Sequence, residues 1–130
     1  MRRPVPNGAL PLSPSRARIR STLARIVDQP DDLRELRVVH KALADVNRLR
    51  IVQRLAEGTA SVTDLIEEIG LSQPLVSWHI GRLRAAGLVT TLRRGRETTC
   101  SLRPEAFEAF AARERIVLGL AGVDPTRAAS

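Results

Sequence analysis

From Pro30 to Leu55 the apolar residues recur three and four positions apart, the spacing that places them on one face of a helix. Leu33, Leu36, Val39 and Leu43 form one stripe, in a helix opened by Pro30 with Asp31 and Asp32 near its positive end. Leu49, Val52 and Leu55 form the inward stripe of the next, from about Asn47 to Glu57, where Gly58 stops it. Upstream, Ile19, Leu23, Ile26 and Val27 keep helical spacing behind Ser13-Pro14, so a helix is expected there as well. Residues 1–14 contain Pro4, Pro6, Gly8, Pro11 and Pro14 and are expected to form a disordered tail.

Further along, the punctuation tightens. Ser61 to Ile69 predicts a short helix closed by Gly70, and Leu71 leads into Ser72-Gln73-Pro74, a Ser cap with Pro in the first turn. That helix carries Val76, Ile80 and Leu83 as its core stripe and ends near Gly87. The period then changes. Leu88 to Leu92 and Glu97 to Leu102 flank Arg93-Arg94-Gly95-Arg96, a hairpin turning on Gly95. Pro104 opens a last helix with Phe107 and Phe110 inward, running to about Gly119, before a frayed tail over 121–130. The expected fold is mainly α (α+β), a winged helix-turn-helix over residues 15–120. It has a two-stranded β-hairpin wing and extra N- and C-terminal helices.

Two short helices joined by a tight turn and followed by a basic hairpin suit double-stranded DNA. The second helix is narrow enough for a major groove, where base edges are distinguishable. Charge agrees with this. The 130 residues carry a net +7, unevenly spread. Residues 1–25 hold six Arg and no acid, and residues 72–103 hold six Arg against one Glu, so any nucleic-acid surface belongs in 72–103. The core must be aliphatic, since only 2% of the chain is aromatic. One Cys excludes a disulfide framework. No apolar run approaches the roughly 18 residues of a membrane span, and Met1-Arg2-Arg3-Pro4 lacks a signal peptide's apolar stretch, so a cytoplasmic location is expected.

Helical phase divides the residues of the second helix. With Val76, Ile80 and Leu83 facing the core, Pro74, Trp78, Gly81 and Ala85 point away. Ser77 and Arg84 lie on one flank and Arg82 on the other. An outward Trp78 suits contact with DNA, or packing against the wing or a partner subunit. His79 falls beside the core stripe, as a satisfied, partly buried histidine. Gln73 and Ser77 lie on the early turns, where such helices touch bases, and Ser72 is expected to cap the helix and meet a phosphate. Arg93, Arg94 and Arg96 at the wing tip are placed for phosphates. The Leu33/Leu36 stripe and the Phe107/Phe110 helix offer more apolar surface than a small core covers, which points to a homodimer.

Several segments together resemble the ArsR/SmtB winged-helix repressors: Lys41-Ala-Leu-Ala-Asp45, Arg48-Leu-Arg-Ile51, Leu55-Ala-Glu-Gly58, Leu71-Ser-Gln-Pro74, Val76-Ser-Trp-His-Ile80, Leu83-Arg-Ala-Ala-Gly-Leu-Val89 and Arg94-Gly-Arg96. The resemblance covers roughly residues 36–103. It implies a homodimer paired through its first and last helices, which binds an imperfect palindrome and leaves it on a signal. It also implies that the residues at 73, 77 and 79 line the DNA-facing helix. The departures are informative. Metal-sensing members often carry Cys-Val-Cys-Asp-Leu where this chain has Ser61, Val62, Thr63, Asp64 and Leu65, and residues 104–120 contain no His. Neither a metal site nor a cofactor is therefore expected. Val46-Asn47 replaces the usual Pro-Thr, and Thr98, Thr99 and Cys100 replace the usual aromatics of the second wing strand, with Cys100 expected inward and inert.

Catalysis lacks a basis. There is no Ser/His/Asp set or Gly-rich phosphate loop, and Glu67-Glu68 reads as a solvated helix face. The remaining alternative is a winged helix serving as an architectural or protein-interaction module, which would bind without sequence preference.

Overall fold

The computed structural model describes residues 30–124 and 126. The tail over 1–14, the helix expected around Ile19 to Val27 and the last residues of the C-terminal tail lie outside the described residues. The elements in order are α1 (Pro30–Leu43), α2 (Val46–Ala56), β1 (Ala60–Ser61), α3 (Val62–Ile69), α4 (Gln73–Ala85), β2 (Val89–Arg94), β3 (Glu97–Leu102) and α5 (Pro104–Val117). The winged helix-turn-helix is present, α3 and α4 forming the motif and β2–β3 the wing.

Local chemistry sets the boundaries. Asp45 caps α2, its Oδ1 accepting from the backbone N–H of Asn47 at 2.8 Å and of Arg48 at 3.2 Å. The change at Val46-Asn47 leaves that cap intact. Ser61 and Asp64 form a reciprocal capping box on α3. The Asp64 N–H donates to Ser61 Oγ at 2.9 Å, and the Ser61 N–H donates to Asp64 Oδ2 at 3.1 Å. Gly70 closes α3 at φ +81°, a left-handed conformation that glycine takes without strain.

The sheet is antiparallel, with strand order β1-β3-β2. The hairpin was expected; β1 was not. Two residues leave no pattern in a sequence, yet they pair Ala60 with Cys100 and Ser61 with Thr99. This stitches the start of α3 to the base of the wing. At the wing tip Arg94 stands opposite Glu97 across a two-residue turn, in which Gly95 takes φ +63°.

The core gathers Ile51, Leu55, Leu65, Val76, Ile80, Leu83, Leu88, Val89 and Cys100 from α2, α3, α4 and the sheet. Each buried aliphatic side chain contributes about 1.5–3 kcal/mol. Cys100 is fully enclosed, as expected. Burial pushes its thiol pKa up and keeps it a packing group. The expected phase of α2 needs correction. Ile51 and Arg48 face inward with Leu55, while Leu49 is exposed. A stripe read from apolar residues alone skipped the arginine on the buried face.

α5 lies against α1. Phe110 meets the His40 ring edge-on at 5.1 Å between centroids, and His40 Nε2 lies 2.5 Å from Glu114 Oε1. Arg113 pairs with Asp32 and, at 3.3 Å, with Glu35. Phe107 and Phe110 are half-buried within the chain, and Leu36 is only 4% exposed there. Of the residues expected at a subunit interface, Leu33 remains exposed.

The capping box yields a prediction. Asp64's pKa is lowered, first by its hydrogen bond from the Ser61 backbone and then by that with the Ser61 side chain. Its stabilising effect is therefore complete above the ordinary value of 3.8 and is lost as pH falls through the lower folded value. Replacing Ser61 with Ala should cost about 1 kcal/mol at neutral pH in urea unfolding. The same substitution should make stability less sensitive to acid; an unchanged unfolding midpoint would contradict the cap.

Candidate nucleic-acid interface

α4 is anchored by one side. Val76 and Leu83 are completely buried and Ile80 nearly so, which fixes the rotation of the helix about its axis. The opposite face is free. Gln73, Pro74, Ser77, Trp78, Arg82, Arg84 and Ala85 are exposed, and Gly81 is half-buried. The outward face derived from helical phase is thus the solvent-facing one.

Two expectations on this helix need correction. Ser72 precedes α4 with an extended backbone, and its carbonyl accepts from the Val76 N–H at 3.0 Å, but its hydroxyl makes no capping bond. Pro74 at the second helical position has no N–H to offer that hydroxyl, which leaves only the N–H of Leu75 at the third, and no bond is made to it. The Ser72 side chain is exposed. His79 is 4% exposed, which removes it from the DNA-facing surface. It stands three residues after Val76 and four before Leu83, on the edge of the buried arc. Nor is it satisfied among the described residues, where its Nδ1 has no hydrogen-bond partner.

Trp78 is 53% exposed and well surrounded. The Arg48 guanidinium carbon lies 5.3 Å from the indole centroid and that of Arg82 lies 5.9 Å away. The His79 ring tilts against it at 5.0 Å. Sequence reasoning missed Arg48; the signal that could have found it is its place three residues before Ile51 and seven before Leu55.

The wing extends the same basic surface. Arg93, Arg94 and Arg96 are exposed, and Arg93 Nε donates to the Gly95 carbonyl at 3.2 Å across the turn. Arg84 Nη1 donates to Thr91 Oγ1 at 3.1 Å, which ties the end of α4 to β2. An exposed helix face bearing Gln, Ser and Trp beside an arginine-tipped hairpin can combine base contacts with phosphate contacts.

The stretch matching the thiolate pair of metal sensors does not fit a soft metal. Ser61 Oγ is spent on the cap of α3, and Thr63 offers only a hydroxyl. No helix among the described residues is long and apolar enough to cross a membrane.

Comparison with known proteins agrees with this architecture. The family model for bacterial regulatory proteins of the arsR family matches residues 45–91. The HTH-type transcriptional regulator KmtR of Mycobacterium tuberculosis is 43% identical over 67 residues, 51% of this chain and 52% of KmtR. The arsenical resistance operon repressor of Staphylococcus xylosus is 36% identical over 75 residues, 58% of this chain and 72% of that protein. Among solved structures, an ArsR-like transcriptional regulator from Rhodococcus sp. RHA1 superposes with a TM-score of 0.58 at 29% identity, covering 65% of this chain and 80% of that one. With KmtR and other curated relatives the match spans about half of their length. On this similarity, and on the winged helix-turn-helix beneath it, the chain belongs to the ArsR family of bacterial regulatory proteins.

Proposed function

We propose that this chain is a sequence-specific transcriptional repressor that binds an imperfect palindromic operator as a homodimer and is released by a signal other than a bound metal ion. The observation that carries this reading is the free face of α4. Its core-facing side is buried, so Gln73, Ser77 and Trp78 are presented together beside Arg82 and the wing arginines. Gln73 is the base reader, Ser72 and the wing contact phosphates, and Trp78 packs against the groove. The repressor named in Staphylococcus xylosus supports the direction of regulation.

Dimer formation follows from what one chain leaves uncovered. Leu33 on α1, Ile116 near the end of α5 and Leu118 and Leu120 just after it are exposed. Pairing through α1 and α5 covers them and sets two copies of α4 about one DNA turn, roughly 34 Å, apart. Light scattering should give twice the mass of one chain at micromolar concentration. Ile116→Asp should give a folded monomer with weakened operator binding, because Ile116 contributes little to the single-chain core. A wild-type monomer would sink the dimer.

DNA binding itself is tested with the promoter duplex of the chain's own gene against random duplex. A bidentate Gln–adenine contact discriminates by about 1–3 kcal/mol, so Gln73→Ala should lose affinity for the operator and much less for random DNA. Arg94→Ala and Arg96→Ala should weaken binding to all sequences alike and lower the slope of log K against log salt by about 1 each. Equal wild-type affinity for both duplexes would favour the architectural reading, and unchanged slopes would take the wing off the DNA.

The released state is assigned to a non-metal signal because the matching donor positions hold Ser61 and Thr63. Zinc, cadmium, arsenite and nickel should each leave operator affinity within about a few-fold, since no group of three or more His, Cys, Asp or Glu among the described residues could hold a metal ion. Stoichiometric binding of any of them with loss of DNA would reveal a missed site.

A further inference from the structure

Arg48 occupies a place where an apolar side chain would serve packing better. It is the third residue of α2, shares the inward stripe with Ile51 and Leu55, and is 8% exposed. Its Nε and Nη1 are buried with no hydrogen-bond partner among the described residues. A guanidinium withdrawn from water with unpaired N–H groups is a net cost to a domain, and an aliphatic replacement of similar volume is often neutral or stabilising. Fold stability alone therefore gives no account of Arg48.

Its contacts give one. The guanidinium lies over the Trp78 ring, and the Asp45 carboxylate, whose pKa is lowered chiefly by the Arg48 backbone N–H, also feels the Arg48 charge. Among the described residues, three cationic or aromatic groups flank Trp78: Arg48, His79 and Arg82. His79 and Arg82 ride on α4 with Trp78 itself, so they move with it. Arg48 alone of the three comes from another helix, and it is embedded in the body of the domain. A cation held over an indole face is attractive and grows stronger as it loses water.

We propose that Arg48 is a positioning residue that locks the exposed indole of Trp78 to α2, so that α4 presents a preset aromatic surface. The consequence for binding rests on the reading of α4 as the DNA-contacting helix; the lock itself does not. Setting one side chain in place before contact lowers the ordering cost of association, a gain in affinity that a stability measurement does not see.

The test uses the sequence's economy. Trp78 is the only Trp and the chain has no Tyr, so intrinsic fluorescence reports on this ring alone. Two variants are made in the full chain. Arg48→Met keeps an unbranched stem without charge or a planar group, and Arg48→Lys keeps the charge without the flat face. In the free protein, Arg48→Met should melt at or above the wild-type temperature. Its indole should become about twice as quenchable by acrylamide, moving from half to full exposure, and its fluorescence anisotropy should fall. Arg48→Lys should lie between. Operator affinity of Arg48→Met should drop about five- to tenfold, whereas in a Trp78→Ala background the same substitution should cost little, because Arg48 acts on binding through the indole. Folded Arg48→Met with wild-type quenching and anisotropy overturns the lock. So does a lowered melting temperature in both variants, which would make Arg48 part of the framework. If the indole is freed while the wild-type protein shows no preference for operator over random duplex, the lock stands and the DNA reading falls.

Discussion

The molecule depends on the burial of Val76, Ile80 and Leu83. These three side chains fix the rotation of α4 by placing one face against Ile51, Leu55, Leu65 and the base of the sheet. Everything proposed for the opposite face follows from that rotation. A turn of about 100° about the helix axis, one residue of phase, would bury Ser77 and expose the core. The apolar stripe therefore does two things at once: it stabilises the domain and it aims the helix. The wing is fixed to the same body through β1–β3 pairing and through Arg84 on Thr91, so helix face and hairpin tip keep their relation.

Much of this was legible in the sequence because the signals were redundant. α3 is announced by Ser61, Asp64 and Gly70 together, and α4 by Pro74 and the Val76/Ile80/Leu83 stripe. The hairpin combines two short runs rich in Val and Thr with Gly95 at the turn. In each case local propensity and tertiary packing ask for the same thing, and a pattern of residue types suffices.

Where the reading failed, one type of residue stood in a place suited to another. The phase of α2 was misjudged because its buried face carries Arg48, and periodicity counts arginine as polar. His79 escaped for a similar reason: its burial was partly foreseen, but not that its Nδ1 has no partner among the described residues. Ser72 looked like a cap because Ser before a helix usually is one; Pro74 removes one of the two N–H groups such a hydroxyl binds, and the other is not used. β1 is too short to leave a period at all. The misplaced polar groups are not scattered. Arg48 and His79 both lie against Trp78, so the place where sequence logic broke is the underside of the candidate DNA-facing surface.

The central claim is that the free face of α4 reads a defined sequence in pairs. Selection of bound duplexes from a random pool by the wild-type protein tests it most directly. The account predicts that successive rounds enrich an imperfect palindrome whose half-sites are centred about 10 base pairs, or a multiple of that, apart. A selected pool with no consensus, or with a single unpaired half-site, would contradict it.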